Sequence, residues 1–165
     1  MKKFLLSLIV VVFSLELINA QQYVATTPTK KNVILEEYTG SNCTYCPDGH
    51  KIANEMAAEY PGRIFPINIH AGGYAPLSYP NMTTAAGNEF NGSFGVNSYP
   101  SGVINRATGP IGRNMWEDKS VEQMHKTAIV NIAGDYTINA STRTAQITVE
   151  IYIFNRFFIN AFFYF

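Results

Sequence analysis

Two cysteines stand close together in Cys43-Thr44-Tyr45-Cys46, and they are the only cysteines in the chain. A pair at this spacing has few physical uses. It can close a disulfide, but so short a loop removes little chain entropy, so a purely structural staple would be a poor use of it. Placed at the start of a helix, the first sulfur meets unsatisfied N–H groups and the positive end of the helix dipole. Both favour the thiolate and lower its pKa. The second sulfur, one turn along, can then attack a mixed disulfide made by the first. Haem attachment needs His directly after the second cysteine, and that position is Pro47. A zinc site needs four ligands. Cys43, Cys46, His50 and His70 could supply them, so metal binding and an inert disulfide remain alternatives to redox chemistry.

The elements around the pair follow from periodicity. Residues 32–38 (NVILEEY) form a short β-type run that ends in the loop Thr39-Gly40-Ser41-Asn42. Residues 50–60 (HKIANEMAAEY) repeat apolar side chains at three- and four-residue steps, which predicts an amphipathic helix stopped by Pro61-Gly62. Residues 64–69 read as a second strand, with Pro66 favouring a bulge or an edge. Residues 71–80 are loop-like, 81–94 a helix interrupted by glycines, 101–105 a third extended run and 116–128 a third helix. Residues 129–138 and 144–154 read as a β-hairpin. His50 shares a helix face with both cysteines, where it could tune the thiolate or simply be solvated. His70 ends the second strand, on the side where the cysteine pair emerges, and is a candidate for the rim of the site. His125 reads as a surface residue.

Composition sets the context. Lys and Arg number 12 against 12 Asp and Glu, a balance that argues against a nucleic-acid partner. At 47% hydrophobic and 15% charged, the chain is apolar enough to fold. Lys2 and Lys3 precede an apolar run over residues 4–15, and Ile18-Asn19-Ala20 supplies a small residue for cleavage. The run falls short of the ~20 residues that span a bilayer, so residues 1–20 are expected to be a removed signal peptide. Export places the cysteines in an oxidising compartment. Residues 21–31 are expected to be a linker. Eight of the 22 aromatic residues crowd into the last 15, and 155–165 read as an aberrant aromatic tail.

At this point the chain resembles the thioredoxin superfamily, through three separated features. They are the strand-loop-CxxC-helix order, Glu37 six residues before Cys43, and the run Phe94-Gly95-Val96-Asn97-Ser98-Tyr99-Pro100. The resemblance implies an α/β, thioredoxin-like three-layer fold with a central mixed sheet over residues 32–128. It implies that Pro100 is cis and lies against the disulfide, leaving the backbone of Tyr99 free to pair with a substrate strand. Cys43 would be the exposed attacking thiolate and Cys46 the buried resolving thiol. Glu37, if buried beneath them, would take the proton of Cys46. The alternative is an ordinary surface carboxylate, because neighbouring Glu36 points the other way and alternation requires one of the two to face water, Glu36 if Glu37 is buried. Thr44, Tyr45 and His70 would contact substrate. The long stretch over 71–87, with Tyr74 and Tyr79, would be a recognition loop or a packed one. Thr-Tyr between the cysteines, and Asn42 before them, depart from the usual pattern and leave the direction of electron transfer open.

The strings CPDGH, IHAGGY and YPSGVINR are similar to a narrower group, the outer membrane protein 28-related family of Bacteroidetes. Its members join a thioredoxin-like domain to a β-sandwich. The hairpin over 129–154 would be a remnant of that sandwich. Membership implies the periplasm or outer membrane of a Gram-negative bacterium. The expected function is an exported thiol–disulfide oxidoreductase with no cofactor beyond the redox-active disulfide Cys43–Cys46. Its partners would be protein thiols or disulfides of the envelope and a redox partner. The alternative is a non-catalytic envelope or outer-membrane-associated binding protein on a thioredoxin-like scaffold.

Overall fold

The computed structural model describes residues 23–75 and 81–154. The leader, Tyr79 and the aromatic tail lie outside them. The chain divides into two compact units, one of residues 30–127 and one that holds the hairpin.

In the first unit, β1 (Val33–Thr39) is an interior strand of a four-stranded sheet. Its companions are β2 (Ile64–His70), β3 (Ser101–Ile104) and β4 (Ile111–Gly112), in the order β2-β1-β3-β4. β2 runs parallel to β1, and β3 antiparallel to it, so the sheet is mixed. Successive side chains of a strand point to opposite faces, and β1 uses both. Val33 and Leu35 join Ile64 and Ile104 in one apolar cluster. That cluster is completed by Ala53 and Met56 of α1 (Cys46–Glu59) and by Trp116 and Met124 of α3 (Trp116–Met124). On the other face Tyr38 and Val103 pack with Val96, Phe94 and Phe90, the last from α2 (Ala85–Ser93). Two helices, a mixed sheet and a third helix make the expected three layers.

The boundaries differ from the expected ones for local reasons. α1 begins at Cys46, not at His50, because Pro47 sits in its first turn, where its missing N–H costs nothing. The apolar stripe starts only after that turn, so periodicity misses it. α2 starts at Ala85, where Thr84 caps it by accepting a hydrogen bond from the Gly87 N–H at 2.9 Å. α3 ends at Met124, not at residue 128. β4, two residues long, is too short to show any pattern. Pro66 lies on the edge strand β2, where a missing donor is tolerated.

The second unit is built on β5 (Val130–Asn139) and β6 (Thr144–Ile153), paired from Val130 opposite Ile153 to Asn139 opposite Thr144. The stretch expected to be a linker is hydrogen-bonded to this hairpin. The N–H groups of Tyr23 and Val24 donate to Glu150 Oε2, and Asn131 Nδ2 donates to the carbonyls of Ala25 and Thr27. Among the described residues no helix is long and apolar enough to cross a membrane.

One glycine in the sheet is sterically required. The indole of Trp116 is fully buried and donates to the Ile111 carbonyl at 3.1 Å, and it occupies the place a Cβ on Gly102 would take. Gly102→Ala is therefore expected to destabilise the protein by about 1–3 kcal/mol through overpacking. Urea unfolding followed by fluorescence of Trp116, the only tryptophan, should show a lower midpoint at unchanged slope.

Candidate functional site

The C-terminal half of β1 carries polar side chains into the interior. Glu37, 0% exposed, pairs in register with Asn68 of β2 and Gly102 of β3, at the middle of the sheet. Its side chain points to the same face as Val33 and Leu35, towards α1. There Glu37 Oε2 lies 3.1 Å from His50 Nδ1, and His50 Nε2 lies 3.3 Å from Thr39 Oγ1. The other carboxylate oxygen, Oε1, is buried without a hydrogen-bond partner. It is directed at Gly49, where a Cβ would come within 2.6 Å of it and within 2.9 Å of Pro100 Cγ. A glycine at this point of α1 thus lets the helix, the acid and Pro100 meet. The Tyr99–Pro100 peptide bond is cis. Burial pushes the Glu37 carboxyl above the ordinary carboxylate range, and the adjacent His50 draws it partly back.

Cys43 and Cys46 form a disulfide with their Cα atoms 5.4 Å apart. Cys46 is the first residue of α1, so the bond ties Cys43 to the positive end of that helix. Cys43 is 7% exposed and Cys46 1%. The order of accessibility is the expected one, but Cys43 as a residue is largely buried rather than exposed. The loop before it is held down: Cys43 N donates to Gly40 O at 3.1 Å, and Asn42 N to Tyr74 O at 3.0 Å.

The remaining candidates border this centre. Thr44 and Tyr45 are exposed, and the Arg113 guanidinium stands 5.7 Å from the Tyr45 ring while it also bonds Asp48. Tyr99 lies just ahead of β3, its hydroxyl donating to Asn91 Oδ1 and its ring meeting Tyr74 edge-on at 5.6 Å. His70 ends β2 opposite Thr39, and burial together with the nearby His50 holds its pKa below the ordinary imidazole value. His125 is exposed, as expected.

Glu36 corrects a second expectation. It does not face water: it is 6% exposed on the opposite face, where Arg106 Nε and a terminal guanidinium nitrogen both donate to its Oε1 at 2.9 and 2.7 Å. The Arg106 guanidinium stacks 4.2 Å from the centre of the Phe90 ring. This face is open at Ile34, which is 44% exposed, but at Glu36 it is covered by Arg106, so alternation along β1 does not by itself say which residues are wet. Arg113, Asp48 and Arg106 were not singled out by the sequence, because their partners are remote in the chain, and Asn91 carried no signal of its bond to Tyr99. Among the described residues no three His, Cys, Asp or Glu side chains gather as a metal-ligand set.

No protein-family model and no curated protein matches this sequence. Solved structures do. HBP35 of Porphyromonas gingivalis matches with a TM-score of 0.56 at 20% identity, over 75% of this chain and 44% of its own. Protein AGR_C_4864 of Agrobacterium tumefaciens matches with a TM-score of 0.50 at 13% identity, over 80% of this chain and 58% of its own. The oxidoreductase NmDsbA1 of N. meningitidis has a TM-score of 0.40 at 12% identity, covering 66% and 96% respectively. The chain thus spans less than half the length of HBP35, and the likeness is one of fold. The mixed sheet, the CxxC disulfide at the head of α1 and Pro100 ahead of β3 make residues 30–127 thioredoxin-like.

Because its pKa is raised on folding, Glu37 holds its proton more tightly in the native state than in the unfolded chain. Its contribution to stability is full below the ordinary glutamate value of ~4.3 and is lost as pH rises through the raised native value. Glu37→Gln removes that loss. Across a pH series of thermal melts, the stability of the variant relative to wild type should climb above pH ~4.3, by up to about 1.4 kcal/mol per pH unit. A difference that does not vary with pH would contradict the raised carboxyl.

Proposed function

We propose that this chain is an exported thiol–disulfide oxidoreductase that exchanges disulfides with proteins of the cell envelope. The observation that carries the reading is the convergence at the first turn of α1. The Cys43–Cys46 disulfide opens the helix, and the buried Glu37 carboxyl and Pro100 both press against Gly49 three residues on. In the proposed cycle Cys43 attacks a substrate disulfide as thiolate, stabilised by the helix terminus. Cys46 then resolves the mixed disulfide, with Glu37 accepting its proton. Tyr99 offers its backbone to an extended substrate segment, a β-type mode of recognition, and Thr44, Tyr45 and His70 border that segment. The redox group is the disulfide itself, recharged by a separate redox partner.

Export is supported by the basic and apolar leader and by a disulfide suited to an oxidising compartment. We also assign the chain to the outer membrane protein 28-related family, and hence to the periplasm or outer membrane, with the hairpin as part of a sandwich domain. In support, CPDGH forms the first turns of α1, IHAGGY the end of β2 and the turn after it, and YPSGVINR contains Pro100 and β3. HBP35 comes from the same phylum.

The near-complete burial of both cysteines favours a second reading, an envelope binding protein whose disulfide is static. Insulin reduction in the presence of dithiothreitol separates the two. Wild type should exceed Cys43→Ser by on the order of tenfold or more if thiolate exchange at Cys43 is the activity. Equal rates would leave the static scaffold as the function.

A further inference from the structure

The two oxygens of Glu37 have different surroundings. Oε1 has no partner and faces α1 at Gly49. Cys46 precedes Gly49 by three residues, so the two share one side of the helix. Oε2 is turned away to the imidazole of His50 at 3.1 Å. Glu37 itself is sealed at 0% exposure, whereas the His50 side chain is 32% exposed. The imidazole ring therefore links this carboxyl to water, and a proton that reaches the carboxyl from the cysteine side can leave through it. The ring suits the task because its two nitrogens can hold and release protons at opposite ends. Its far nitrogen lies beside the Thr39 hydroxyl, and the titratable groups facing it are Glu37 from β1 and His70 from β2.

We propose that His50 is a positioning and proton-relay residue that recharges Glu37 as a base during resolution of the mixed disulfide. The inference rests on the oxidoreductase reading. The step balances as follows. Cys46 S–H gives its proton to the Glu37 carboxylate. The Cys46 thiolate attacks Cys43 Sγ, forming the Cys43–Cys46 bond and breaking the bond from Cys43 to the substrate sulfur, which leaves as thiolate. The substrate protein disulfide is thereby reduced and the enzyme dithiol oxidised. The carboxyl then turns so that the acquired proton faces His50 and passes to Nδ1, and the ring gives up its Nε2 proton, by way of the Thr39 hydroxyl, to solvent, restoring the carboxylate.

Single-turnover kinetics of the pre-reduced full chain with a disulfide-bonded protein substrate test this, with attack and resolution followed separately by acid quench. His50→Gln keeps an amide for Glu37 but cannot carry a proton. It should slow resolution about tenfold relative to the preceding attack. Free imidazole should restore resolution in His50→Ala in a saturable way and should not restore it in Glu37→Gln. If Glu37→Gln slows resolution but His50→Gln does not, the relay is overturned and the base stands. Equal slowing of both phases in His50→Gln, or His50→Ala left unrescued by imidazole, would reduce His50 to a structural role and overturn the relay. Absence of any turnover in wild type would remove the oxidoreductase reading, and the relay with it.

Discussion

A carboxyl group with no access to water, half of it lacking a hydrogen bond, is the constraint around which this domain is arranged. Burying such a group is costly unless it is paired or neutralised. Glu37 sits where the cost is greatest, on an interior strand with neighbours on both sides. Around it, side chains are missing where they would ordinarily be. Gly102, directly across on β3, yields its Cβ position to the Trp116 indole, and Gly49 on α1 leaves the space in front of Oε1 open. Directly opposed residues of an antiparallel pair share a face, so the indole closes the apolar wall on that side of the acid. The wall raises the carboxyl's proton affinity, and the gap at Gly49 exposes it to one side of α1. A packing accident would not need both glycines.

The comparison with Glu36 separates structural from chemical burial. The two acids are adjacent, both nearly inaccessible, and turned to opposite faces of one strand. Glu36 is held by Arg106, which keeps its proton at any relevant pH and can only neutralise a charge. Arg106 and Asn105 both adopt positive φ, and Asn105 bonds the β1 edge through the Ile34 N–H and the Asn32 carbonyl. The whole arrangement clamps the end of β3 onto β1. Glu37 has a histidine instead, a partner whose two ring nitrogens can each hold or release a proton. The identity of the partner, more than the depth of burial, marks which acid is suited to chemistry.

That distinction could not be drawn from the sequence, and the reason is physical. Alternation assigns residues to faces but does not say whether a face is wet, so Glu36 was expected in solvent. Its partner lies 70 residues away, with no local signal. The first turn of α1 was hidden for the opposite reason: Pro47, Asp48 and Gly49 suit a helix start yet interrupt the apolar period. Other features were legible because they are local. The cysteine spacing, the edge placement of Pro66 and the two long alternating runs of the hairpin each follow from neighbouring residues alone. In the hairpin, Ile132, Tyr136, Ile138 and Ile147 alternate with polar residues such as Asn131, Asp135 and Thr137, so both strands were evident despite high exposure.

The asymmetry of the two sulfurs bears on the proposed chemistry. An incoming thiolate must reach a sulfur along the axis of the bond it breaks, and at 1% exposure Cys46 presents no approach. In the proposed cycle attack from outside is then confined to Cys43, where every mixed disulfide would form. Cys46 would then be the resolving thiol, acting from inside the protein, where water would not take its proton. A buried acceptor is needed on that side and nowhere else. Glu37 stands on the α1 side of the sheet with one oxygen unsatisfied, while the less buried cysteine is bonded to the first residue of α1, whose N-terminus no side chain caps. On the proposed cycle each sulfur would thus have the environment its own step requires: a positive terminus for the thiolate that meets substrate, and a sealed base for the thiol that does not.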